Sequence, residues 1–193
     1  AFEGTVTPQG DFGNRYGSYP LACLLVGATL MQRHDLVYPG VRRLLQWQDP
    51  ETGGLYHRWN ERTAEGEQEI FPTAQAGMTF VLIGQIEAAR QAGAWFKRLR
   101  ELQPDWEHRL YAVTSRARGL ITDVPADKEV LYITRKDQPW QHHFNGGIAA
   151  AFLSMLHMAT GEAVWLDLAR QYEEFSMTSD ACQFQSMQTC KSG

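Results

Sequence analysis

Three times along this chain, a segment that is apolar on nearly every side is followed by one that is apolar along a single stripe. The first members of the pairs read "SYPLACLLVGATLMQRH" (18–34), "TAQAGMTFVLIGQIEAARQ" (73–91) and "IAAAFLSMLHMA" (148–159). Their partners are "VRRLLQWQ" (41–48), "AGAWFKRLREL" (92–102) and "TGEAVWLDLARQYEEFSM" (160–177). In the second partner, Trp95, Phe96, Leu99 and Leu102 recur at helical spacing, and in the third Val164, Trp165, Leu168, Tyr172 and Phe175 do the same. A helix apolar all round must be buried, whereas one with a single stripe lies outside with that stripe turned inward. The pattern predicts an all-α chain of three helical hairpins, each an inner helix followed by an outer one, forming a single domain over 1–193.

The punctuation supports this division. Pro39 and Gly40 are expected to separate the first pair, "DPETGG" (49–54) to stop its outer helix, Pro72 and Thr73 to open the second inner helix, and Pro104 to end the fourth helix. A repeat runs through the same places: "VRRLLQWQDPETGGLY" (41–56) aligns without gaps on "FKRLRELQPDWEHRLY" (96–111). Arg43/Arg98, Leu44/Leu99, Gln48/Gln103, Leu55/Leu110 and Tyr56/Tyr111 coincide. The connector 57–71 is polar and charged. The connector 118–139 contains "EVLYIT", a short strand; an unpaired strand is marginal, so at most a small β-hairpin at the rim is expected.

Composition excludes several classes of function. With 44% hydrophobic and 21% charged residues the chain has material for a core, and its net charge of −4 comes without a basic tract, so no nucleic-acid partner is expected. "FKRLR" (96–100) reads as a solvated helix face. No run approaches the roughly 18 apolar residues of a membrane span. The start "AFEGTVTPQG" does not read as a signal peptide, and its lack of an initiator Met suggests an upstream piece removed or left out. Cys23, in an apolar run, is expected to be a buried hydrophobe. Cys182 and Cys190, without a CxxC, are expected to be free thiols of a cytoplasmic protein rather than a disulfide or a zinc site. No GxGxxG and no P-loop is present, so no cofactor is expected.

The alternation of inner and outer helices, together with the loop "QDPETGGLY", resembles the α/α-toroid. That architecture is shared by terpenoid cyclases of the squalene–hopene type and by six-hairpin glycosidases, lyases and sugar epimerases. The nearest resemblance is to cyclase-like proteins of microbial secondary metabolism, although the Asp-rich motifs of the squalene–hopene cyclases and of ionisation-type terpene synthases are both absent. A whole toroid of five to seven hairpins takes on the order of 280 residues or more, beyond the usual single core. The resemblance therefore implies an incomplete portion of a larger ring, the rival being a small three-hairpin domain.

In such a ring the inner helices run the same way and their N-termini meet at one mouth. The peptides that lead into them, 11–18, the end of 57–75, 140–147 and 182–190, would line it. The stretch "WQHHFNGG" (140–147) supplies His142 and His143 as candidate catalytic acid or base, because imidazole titrates near neutrality. Arg15, Tyr16, Glu69, Gln75, Trp140, Asn145, Gln185 and Gln188 are the candidate substrate-binding residues. Free N–H groups at the helix starts would favour a carboxylate or a developing oxyanion. The plainer reading of "HHFNGG" is that Asn145 caps a helix and the histidines are exposed loop residues. No metal is expected, since adjacent histidines point apart. His157 reads as a core or interhelical residue. Asp11, Glu69 and Asp180 fall near the mouth and bear on glycoside chemistry, which needs two carboxylates. Asp49 and Glu51 are expected to make a turn at the opposite end. The aromatics of the connectors, Trp59, Phe71, Trp106, Trp140, Phe144 and Phe184, either form a pocket or pack over helix ends.

Together these readings point to a cofactor-independent cyclase or isomerase that shapes a small, largely apolar terpenoid or polyene. His142 or His143 would donate a proton or hydrogen bond, and Tyr16, Gln75 and Asn145 would orient the substrate. The alternative is a carbohydrate-active enzyme (glycoside hydrolase, lyase or sugar epimerase) using the same mouth. A third is a non-catalytic helical scaffold. A small-molecule substrate is the expected partner, with neither nucleic acid nor membrane.

Overall fold

A computed structural model describes residues 17–185. Six helices form three antiparallel hairpins: α1 (Ser18–Leu30) with α2 (His34–Leu45), α3 (Ile70–Leu82) with α4 (Ile86–Glu101), and α6 (Phe144–Thr160) with α7 (Ala163–Met177). A single short turn of helix, α5 (Glu129–Tyr132), lies in the last long connector. Helices α1, α3 and α6 pack side by side, with α3 between the other two, while α2, α4 and α7 lie outside them. The chain thus folds as an arc of an α/α-toroid, as its hydrophobic pattern requires.

The hairpins turn where left-handed backbone is available. Gln32 (φ 56°), Gly84 (φ 78°) and Gly161 (φ 72°) each sit in the tight link between an inner and an outer helix. With the turn at Gly84, the second outer helix starts six residues ahead of the expected boundary, so "IEAARQ" (86–91) belongs to α4. The first turn also differs from expectation. Pro39 and Gly40 do not separate the helices; both lie within α2. Gly40 packs closely on α1: a Cβ there would stand 2.5 Å from Leu25 Cδ2, so the end of that side chain would have to shift. Gly77 does the same between inner helices: a Cβ would meet Phe152 Cε2 at 2.4 Å.

Cross-links tie the hairpins into one core. The Tyr172 hydroxyl of α7 donates to the Phe96 carbonyl of α4 at 3.1 Å, and the Gln48 amide donates to the Ala88 carbonyl of α4 at 2.9 Å. Trp95, Phe96, Phe152, Tyr172 and Phe175 are buried, with Phe96 edge-on to both Trp95 and Tyr172. The sequence repeat is structural. Leu44 and Leu99, and Leu55 and Leu110, are fully buried, and Tyr56 and Tyr111 are buried, while Gln48 and Gln103 each donate to a main-chain carbonyl beyond an outer helix, of Gly53 and Tyr111.

All the long connectors lie at the end where the inner helices begin, because each hairpin brings the chain back to its start. They carry more β-structure than the one small hairpin expected. Strands β1 (Glu67–Glu69), β3 (Val113–Ser115) and β4 (Gly119–Leu120) form an antiparallel sheet in the order β1-β3-β4. Strands β2 (Arg109–Tyr111) and β5 (Ile133–Arg135) form a second. Of "EVLYIT", the first four residues are α5 and only Ile133 and Thr134 are strand. The segment that carries β2 and β3 also accepts from the helices, from one backbone group at the start of α3 and from one indole of α4. Ile70 N–H at the head of α3 donates to Ala112 O at 3.1 Å, and Trp95 Nε1 donates to Thr114 Oγ1 at 3.0 Å.

The α1–α2 edge of the arc is apolar and open. Leu24 is 55% and Met31 75% exposed, and with Leu36 they line a groove of about 420 Å³. Cys23 lies in the same groove and is exposed rather than buried, because α1 has an inner-helix neighbour on one side only among the described residues.

Candidate active site

The first turns of the three inner helices meet through their aromatic side chains. Tyr19 of α1 stacks on Phe71 of α3 with ring centroids 4.1 Å apart. Phe71 meets Phe144 of α6 edge-on at 5.7 Å, and His142 lies 5.2 Å from Phe144. The N-terminal ends of α1, α3 and α6 therefore converge, with a row of rings across them.

Beside this row, β1 leads into α3. Its period of two places Glu67 and Glu69 on one face. His57, from the preceding connector, sits against both: its Nδ1 is 3.4 Å from Glu69 Oε2 and 3.9 Å from Glu67 Oε2. The His57 and Glu69 side chains are only 4% and 5% exposed, while Glu67 reaches 25%. Glu67 is held from its open side. The Tyr132 hydroxyl donates to its Oε2 at 2.8 Å, and Arg118 Nη2 lies 3.5 Å from its Oε1. Gln68, pointing to the other face, accepts from the Thr52 hydroxyl at 2.7 Å. His57 and Glu67 were absent from the sequence-derived candidates, since both fall in a connector that reads as solvated. The alternation of carboxylates in "EQE" (67–69) is the one signal that could have pointed to Glu67, and nothing local points to His57.

Of the other candidates, His143 is buried. Its Nε2 lies 3.0 Å from the Gln138 carbonyl, which fixes the Nε2–H tautomer, and Nδ1 has no hydrogen-bond partner among the described residues. Burial lowers its pKa, opposed by the Gln138 carbonyl and by the charge of Asp180. Asn145 does not cap α6. The helix begins one residue earlier, at Phe144, so Asn145 falls in the first turn, is buried, and donates to Thr134 Oγ1 at 3.3 Å. Gln75 is half-buried on α3, Trp140 is exposed, and Gln185 is exposed at the end of a 3-10 turn, Ala181–Gln185. Glu69, His142 and Asn145 thus flank the aromatic row. Arg15, Tyr16 and Gln188 lie outside the described residues, as do Asp11 and Cys190.

Two aromatics serve packing. The Trp59 ring lies between the guanidiniums of Arg43 and Arg62, at 3.4 and 3.3 Å, and Trp106 packs on Tyr172 and Phe175. His157 Nδ1 lies 3.0 Å from the Glu162 carbonyl and secures the third hairpin turn.

Asp49 does make a turn, accepting the Glu51 and Thr52 N–H groups at 2.8 and 3.0 Å. It does so at the mouth end rather than the opposite one, since it follows an outer helix. Its other oxygen accepts the Tyr56 hydroxyl, and the isolated bridge from Tyr56 to Gln68 joins this turn to β1. Burial, reinforced by the Asp49 carboxylate, pushes the Tyr56 phenol well above its ordinary pKa. No helix among the described residues is long and apolar enough to cross a membrane.

An arc of parallel inner helices with its connectors gathered at their N-terminal end defines an α/α-toroid. Solved structures agree with that class. The chain is similar to a glycoside hydrolase family 76 alpha-mannanase from Bacteroides thetaiotaomicron, with a TM-score of 0.59 at 14% identity over 90% of this chain and 51% of that one. It is also similar to a family 76 glycoside hydrolase from a bovine strain of that species (TM-score 0.54, 14% identity, 82% of this chain and 33% of that one). A third is a family 76 mannosidase from the same species (TM-score 0.53, 18% identity, 83% of this chain and 42% of that one). The chain spans about half the length of the first of these. No protein-family model matches the sequence, and no curated protein matches it. The likeness establishes the toroid fold. The neighbours are glycoside hydrolases, so it gives no support to a terpenoid-cyclase identity.

Proposed function

We propose that this chain contributes the saccharide-binding mouth of a carbohydrate-active α/α-toroid enzyme that cleaves glycosidic bonds, in a polypeptide whose ring includes further hairpins. The observation that carries this reading is the pair Glu67 and Glu69 on one strand face, bridged by His57 beside the row Tyr19, Phe71 and Phe144. Glycoside hydrolysis needs one carboxyl group to protonate the leaving oxygen and a second to act as base or nucleophile. Glu69, enclosed beside His57, is the proton donor; Glu67, oriented by Tyr132 and Arg118, is the acceptor. Aromatic faces suit the apolar C–H face of a pyranose ring, leaving its hydroxyls to the polar rim. His142, Gln75 and Gln185 are the candidates for that rim, with Asn145 holding the first turn of α6 behind it. His143, neutral and internally bonded, positions the loop. The fold likeness to mannose-cleaving enzymes makes α-linked mannooligosaccharides the first substrates to try.

Hydrolysis of such oligosaccharides, followed by reducing-end release, tests the proposal. Glu69→Gln and Glu67→Gln keep side-chain size and are each expected to lower kcat by about 100-fold or more while the melting temperature changes little. Turnover within a few-fold of wild type in both variants overturns the assignment. Turnover of a polyene in place of any saccharide returns the cyclase reading.

A further inference from the structure

Trp140 is held in a position that folding alone does not favour. Its indole is 68% exposed, and it is one of only two non-glycine residues with positive φ among the described residues, at 61°. The ring makes no aromatic contact with the described residues. Left-handed backbone is costly for a bulky side chain, and an exposed indole gains little from burial. Nor is the loop loose. Asp180 N–H donates to the Lys136 carbonyl at 2.7 Å, His143 Nε2 bonds the Gln138 carbonyl at 3.0 Å, and the N–H of Trp140 itself donates to Cys182 Sγ at 3.2 Å. Beyond it, the Thr134 hydroxyl donates to the His142 carbonyl at 3.1 Å, so the backbone is held on both sides of the residue and at the residue, and the ring projects from it. Phe184, 62% exposed, stands two residues beyond Cys182 on the adjoining turn.

Strain of this kind persists where the surroundings impose it, and it concentrates at ligand sites. We infer that Trp140 is a stacking platform for a pyranose residue of the bound saccharide, preset by the clamp on its loop, with Phe184 extending the apolar strip along the rim. The inference rests on the carbohydrate reading above and adds a subsite to it, outside the Glu67–Glu69 pair. A rigid indole loses little side-chain freedom on binding, so the contact favours affinity without further ordering.

Calorimetric titration with an α-mannooligosaccharide, with melting measured in parallel, tests it on wild type and the variants Trp140→Ala, Trp140→Gly and Trp140→Phe. Removing the ring in the Ala and Gly variants is expected to weaken binding about tenfold or more, and Phe to restore most of it. The Gly variant is expected to melt above the Ala variant, because only glycine relieves the positive φ. Binding by Trp140→Ala within twofold of wild type overturns the platform. So does a collapse of melting temperature in both small variants, which would make the indole part of the core. A wild-type protein that binds none of the saccharides overturns the carbohydrate reading itself. Wild-type saccharide binding that Trp140→Ala leaves within twofold overturns this inference alone.

Discussion

The Asp49 carboxylate is fully buried, yet it accepts two backbone N–H groups and a phenol, with Arg116 Nη1 3.7 Å from Oδ1. Asp49→Ala would strand those donors in the interior, and a loss of about 3 kcal/mol is expected in urea denaturation, with Asp49→Asn costing less. His143 gives a pH signature. Its pKa is lowered in the folded state, so the unfolded chain takes the proton first. The stability it contributes is present above the ordinary histidine pKa, about 6.5, and is lost as pH falls from there through the folded value. The acid-side fall in the urea midpoint should be shallower in His143→Gln than in wild type. At this scale the sequence was least informative. It marked Glu69, His142, His143 and Asn145, and it overlooked His57 and Glu67, because a connector rich in charge reads as surface until a sheet folds over it.

At the scale of elements, the three hairpin turns use the same device with different residues. Gln32 adopts φ 56° where the other two turns have glycine. Gln32→Gly is therefore expected to stabilise by about 0.5–1 kcal/mol, and Gly84→Ala to destabilise by about 1 kcal/mol. At Gly84 a Cβ would meet nothing within 4 Å, so the loss would be backbone strain alone. Thermal melting of the two variants checks both signs. The same turns explain where the sequence misled. Pro39 and Gly40 look like punctuation, but Gly40 is shaped by contact with Leu25 across the hairpin, a partner fifteen residues away that local pattern does not reveal. Helical existence and order were legible because apolar periodicity is local; boundaries were not, because packing set them.

For the whole molecule, α3 is the keel. It packs on α1 and α6, and its Gly77 receives the ring of Phe152. Phe152→Ala is expected to cost about 3–5 kcal/mol. Since Tyr172–Phe96 and Gln48–Ala88 contacts span hairpins, the loss should shift one cooperative transition, seen alike by far-ultraviolet circular dichroism and tryptophan fluorescence. Two separate transitions would show that the hairpins unfold singly. The open edge at Leu24, Met31 and Leu36 has the character of an interior surface, and it lies where a toroid places its next hairpin.

The sequence by itself determined the helical hairpins, which member of each pair lies inside, and that the inner-helix starts share one end. Those properties follow from hydrophobic periodicity, which each segment carries within its own residues. Only the tertiary structure decided that the polar connector 57–69 ends in a strand with His57 enclosed against two glutamates, and that Asp49 lies at the mouth. It also decided that Trp140 is strained and exposed. Each of these depends on backbone and side chains meeting across tens of residues, and the environment that results, not the residue type, sets burial, protonation and geometry.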